Sequence, residues 1–76
     1  MACDFVALST NMRWAYDNND TARRLIQEGV LDGGPAGVEK IKQGYKTGQA
    51  HNPDTYKHLE SCGPMEIRKA AQNITG

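Results

Sequence analysis

Residues 20–45 read DTARRLIQEGVLDGGPAGVEKIKQGY, and the spacing within them decides the fold. Asp20 is suited to open a helix, because its carboxylate can accept from an unpaired amide one turn further in. Ala22, Leu25, Ile26, Gly29 and Val30 then recur at the i, i+3, i+4, i+7 and i+8 positions of one apolar stripe. Arg23, Arg24, Gln27 and Glu28 fall off that stripe and are expected in solvent. Gly29 followed by Val30 predicts a stop, since glycine takes the left-handed conformation and the next apolar residue folds back on the last turn. Asp32-Gly33-Gly34 turns the chain. Pro35 sits at the first position of a second helix, where its missing amide hydrogen costs nothing. Val38, Ile41 and Tyr45 form the stripe of that helix. Gly37 and Gly44 each weaken it by ~1 kcal/mol relative to alanine. It therefore depends on tertiary packing, and its glycines permit a neighbour to come close.

Working outward, Phe5, Leu8, Met12, Ala15 and Tyr16 fit helical spacing, with a short strand over Phe5–Leu8 as the competing reading. Asp17-Asn18-Asn19-Asp20 ends this helix with local side-chain bonds to turn backbone. Lys46 to His51 reads as a linker. Asn52-Pro53 is a start signal, and Tyr56, Leu59 and Cys62 share one side of a helix over Pro53–Cys62. Gly63 stops it, and Pro64 starts a last helix with Ile67, Ala70, Ala71 and Ile74 as its stripe. Strand signals are nearly absent and no period repeats. The sequence predicts an all-α, single-domain bundle of four to five short helices over residues 1–76.

A chain of 76 residues buries only about 60–65% of its unfolded surface. With 38% apolar residues and a mean hydropathy of −0.67, the core is small, which favours completion by a partner or a second copy. Nine basic residues balance nine acidic ones, so no global field draws in nucleic acid or anionic lipid. No apolar run is long enough to span a membrane, and no basic start precedes an apolar segment. Two distant cysteines do not make a disulfide framework, and a reduced, cytoplasmic protein is expected. The Asn73-Ile74-Thr75 sequon then reads as a chance match.

The chemistry-bearing residues form few constellations. His58 and Cys62 stand four apart on one helix, and Cys3 and His51 could complete a tetrahedral metal site. The second close pair typical of zinc motifs is missing, so an exposed histidine beside a small buried thiol is preferred, with no metal and no cofactor. A calcium loop over Asp17, Asn19, Thr21 and Glu28 fails because its sharp-turn position holds Ala22. The glycines from Gly33 to Gly37 fit neither phosphate-binding fingerprint, and a plain turn is the simpler reading. Nothing orients a base on Cys62, so no enzyme is expected.

Two binding readings remain. The helix pair around Gly63-Pro64 has the tight turn of a helix-turn-helix, and Arg68, Lys69, Gln72 and Asn73 could read base edges. The neutral charge balance argues against that. Trp, Tyr and Arg are enriched where proteins meet, and Trp14 and Arg13 lie off the core stripe. The preferred expectation is a protein-binding module, an accessory or inhibitor protein or assembly subunit of the sort phages and mobile elements encode. Arg13, Trp14, Tyr16, Arg23 and Arg24 are its candidate contacts, toward another protein or a second copy.

Overall fold

The computed structural model describes residues 2–49 and 52–76. The protein is an all-α bundle of five helices: α1 Phe5–Asn18, α2 Asp20–Asp32, α3 Gly34–Gly48, α4 Tyr56–Ser61 and α5 Pro64–Thr75. A 3₁₀ turn, Pro53–Thr55, leads into α4, and no strand occurs among the described residues. Phe5–Leu8 is helical rather than extended. The Asp4 carboxylate accepts from the Ala7 amide at 3.0 Å and caps α1.

The stripes read from the sequence form the core, except that Leu25 of the α2 stripe is half-buried and lies outside it. Leu8, Met12, Ile26, Ile41, Tyr45 and Ile67 are fully buried, joined by Ala15, Ala22, Ala70 and Ala71. Phe5, Tyr16, Val30, Tyr56 and Ile74 are partly buried against this cluster. α1 packs on α2, α3, α4 and α5, while α2 and α3 form the most extensive pair.

Several boundaries differ from expectation, each for a local reason. The cap of α2 is Asn19, whose Oδ1 accepts from the Ala22 amide at 2.9 Å; Asp20 is already inside the helix. Gly29 does not stop α2, which runs three residues further. Instead Gly29 is buried against α3, where a Cβ would meet the Gly37 carbonyl oxygen at 2.5 Å. The reversal falls on Gly33 and Gly34, at φ 65° and 62°, a region costly for any residue with a Cβ. The Asp32 carboxylate accepts from Lys40 Nζ across this turn, and that hydrogen bond raises the lysine pKa.

The glycines expected to permit close approach do so. A Cβ on Gly44 would stand 2.9 Å from the Ala22 carbonyl oxygen. α3 also continues through Lys46, Thr47 and Gly48, which were expected in a linker. Thr47 Oγ1 donates to the Gln43 carbonyl at 2.7 Å, and Gly48 abuts Ala15 of α1, where a larger residue would not fit. Pro53 to Cys62 is not one α-helix. Its start is a 3₁₀ turn in which the Thr55 amide and hydroxyl both donate to the Asn52 carbonyl. At the start of α5, Glu66 reaches back to the Gly63 amide at 3.1 Å.

The largest correction concerns the cysteines. Cys3 and Cys62 form a disulfide, with an S–S distance of 2.02 Å and Cα atoms 4.6 Å apart. Their 59-residue separation concealed this, because the start of α1 and the α4–α5 junction share one end of the bundle. In the chain-entropy account, closing a ring of that size stabilises the fold by roughly 4 kcal/mol.

Candidate binding cleft

Where α1 ends, the C-terminal end of α3 and the turn before α4 come beside it and leave an open cleft of about 500 Å³. α1 contributes Asn11, Trp14 and Asn18, and Asn19 joins them from the junction with α2. Thr47, Gly48 and Gln49 line the opposite side, with Asn52 and Thr55 behind. None of the nine is charged, in a chain where 24% of residues are. Five carry a side-chain amide.

Three of those amides are held in a fixed orientation by a backbone partner, so which end is donor and which acceptor is settled. Asn18 Nδ2 donates to the Trp14 carbonyl at 2.9 Å, which leaves Oδ1 as an acceptor. Asn19 Oδ1 accepts from the Ala22 amide, which leaves Nδ2 as a donor. Gln49 Nε2 donates to the Asn11 carbonyl at 2.8 Å, which leaves Oε1 as an acceptor. None of these second atoms has a hydrogen-bond partner among the described residues. Gln49 is 7% exposed, a polar side chain built into the wall rather than draped over it. Below the cleft, the buried Tyr45 hydroxyl donates to the Thr55 carbonyl at 2.9 Å. Burial raises the pKa of this phenol, and hydrogen bonding with Asn11 and Thr55 opposes the shift.

Trp14 stands at the rim with 55% of its surface exposed. It is the chain's one tryptophan. The five residues expected to touch a partner do not form one patch. At 3.6 residues per turn, Tyr16 points about 160° away from Trp14 around α1. Tyr16 is half-buried, and its hydroxyl accepts from Gln27 Nε2 at 2.7 Å. Arg23 lies over the Tyr16 ring, 5.8 Å from its centroid, and donates through Nε to the Tyr16 carbonyl at 3.1 Å. It also pairs with Asp20 at 3.0 Å. This arginine satisfies carbonyl groups at the end of α1 that the helix itself cannot pair. Arg13 and Arg24 are exposed, on α1 and α2 respectively.

On α5, Lys69, Gln72 and Asn73 are exposed, but Arg68 is half-buried, with its Nε buried and without a partner among the described residues. The expected exposed histidine is also half-buried: His58 Nδ1 is enclosed and unpartnered among those residues. Cys3 and Cys62 do converge, as a disulfide rather than as thiolate ligands, and His51 lies outside the described residues. The cleft residues Asn11, Asn18, Asn19, Gln49 and Asn52 were not singled out as a site from the sequence. From the sequence, Asn18 and Asn19 are turn formers, Asn52 is a helix-start cap, Gln49 belongs to a linker, and Asn11 has no assigned role. The chain matches no family model, no curated protein and no solved structure.

Proposed function

We propose that this chain is a small binding module that engages another protein through the rim of the cleft, with Trp14 as the anchor. The observation that carries this reading is the exposure of Trp14. A lone tryptophan that lies 55% in solvent, while six other large side chains are fully buried, adds little to the fold. Tryptophan is among the commonest anchors of protein contacts, because its large rigid ring loses little entropy on docking. Arg13 and Arg24 are exposed and available for such a contact; Tyr16 and Arg23 are occupied within the fold.

Binding is favoured over catalysis by the character of the cleft. Among the described residues, no side chain that lines it titrates near neutral pH, so these residues offer neither a general acid nor a general base. No helix among the described residues is long and apolar enough to cross a membrane. The disulfide supports an oxidising location over the cytoplasm that the composition suggested, since reducing compartments keep thiols apart.

Affinity capture from the native host tests this reading, with the wild-type chain and Trp14→Ala as parallel baits. A protein retained by the first and lost by the second, with melting unchanged, supports it. Identical capture by both baits sinks it.

A further inference from the structure

We infer that the cleft beside Trp14 binds a neutral saccharide, free or carried on the partner protein. This names the ligand class of the same site and rests on the Trp14 reading above.

Three observations point to that class. The first is the absence of charge among the described lining residues. A phosphate, carboxylate or ammonium ligand calls for an opposite charge, yet none of the nine lining residues carries one. The second is the amide array. Asn18 Oδ1, Asn19 Nδ2 and Gln49 Oε1 present acceptor, donor and acceptor, each fixed by a backbone bond on its other end. Sugar hydroxyls donate and accept at once, so they satisfy both kinds of group. Because the amides are already oriented, a ligand orders little protein on entry. The third is the exposed indole at the rim. A pyranose ring has one face of polarised C–H bonds, and the negative face of an aromatic ring attracts them. The cleft's volume of about 500 Å³ lies in the range of small-molecule sites. The Cys3–Cys62 disulfide supports the inference independently, because oxidising compartments are where protein-borne neutral glycans are displayed.

The test is a nitrogen-15 NMR titration of the oxidised protein with neutral oligosaccharides of glucose, mannose, galactose and N-acetylglucosamine, beside sulfated and sialylated counterparts. The expected result is that at least one neutral series shifts the side-chain amides of Asn18, Asn19 and Gln49 and the Trp14 indole. Trp14→Ala then weakens binding about tenfold, a loss of ~1.4 kcal/mol, while Trp14→Phe restores part of it. Asn18→Ala, an exposed position whose loss spares the core, also weakens binding. No shift with any neutral series overturns the inference, and so does binding confined to the acidic sugars.

Capture of the protein partner separates the two sources and the two proposals. Capture abolished by deglycosylating the partner, and competed by free oligosaccharide, places the sugar on the partner. Oligosaccharide binding with capture unaffected by deglycosylation means that the sugar is taken free. Capture that depends on Trp14 but ignores both treatments, with no sugar shifting the amides, sinks this inference and leaves the protein-binding reading standing.

Discussion

Gly29 and Gly37 meet face to face across α2 and α3, with each glycine's backbone occupying the space a Cβ on the other would need. Both are buried. The two helices can approach this closely only because neither position carries a side chain.

Gly37→Ala is therefore expected to destabilise the protein although it removes a helix-weakening residue. The helical gain is ~1 kcal/mol. Against it stands overpacking onto backbone that cannot rotate away, which costs about 1–3 kcal/mol. The net loss should appear as a lower denaturant midpoint. A variant as stable as the wild type would show that the helices are not held at this distance.

The disulfide predicts the outcome of a thiol assay. The oxidised protein, once denatured, should release no free thiol, and Cys62→Ser should lower stability by roughly 4 kcal/mol on the chain-entropy account. Two reactive thiols in the untreated protein would mean that Cys3 and Cys62 are not joined.

Arg23 and Trp14 should behave oppositely. Arg23→Ala removes bonds to Tyr16 and Asp20 and is expected to cost about 1 kcal/mol in thermal denaturation. Trp14→Ala should stay within ~0.5 kcal/mol of wild type, as surface substitutions do. The wild-type indole should also be quenched readily by iodide. A large melting loss in Trp14→Ala would make Trp14 a structural residue and remove the support for the binding surface.

Tyr45 gives a pH dependence with a definite sign. In the unfolded chain its phenol ionises near its ordinary value of 10.0, while burial holds the folded pKa higher. Above pH 10 the unfolded state thus binds fewer protons than the folded one, so stability falls as pH rises. Below pH 10 this contribution is flat. Tyr45→Phe should remove that part of the alkaline loss, at a cost of about 1–3 kcal/mol at neutral pH for the unpaired Thr55 carbonyl. Equal alkaline slopes in the two proteins would contradict a buried phenol.

The bundle was legible in the sequence because helical period, capping residues and proline starts all point the same way. Val38, Ile41 and Tyr45, or Ile67, Ala70 and Ala71, are visible as a buried face from spacing alone. What escaped was anything set by contact between distant segments. Gly29 has the local features of a helix stop, and only its neighbour on α3 turns it into a packing site. Cys3 and Cys62 are adjacent because α1 returns its start to the α4–α5 junction, which no local pattern encodes. The cleft escaped for the same reason. Asn11, Asn18 and Gln49 belong to separate segments, and their shared lack of charge becomes evident only when they are brought together.

The Cys3–Cys62 bond also divides the chain into a covalent loop that holds the first four helices and a free arm, α5. One peptide-bond break inside the loop, by protease or by ageing, yields a molecule of nearly unchanged mass and undivided until a thiol is added. The same break in the arm sheds Ile67, Ala70 and Ala71 or the residues beyond them, and with them one wall of the interior. Damage to this protein should thus be silent on non-reducing gels in one region and conspicuous in the other.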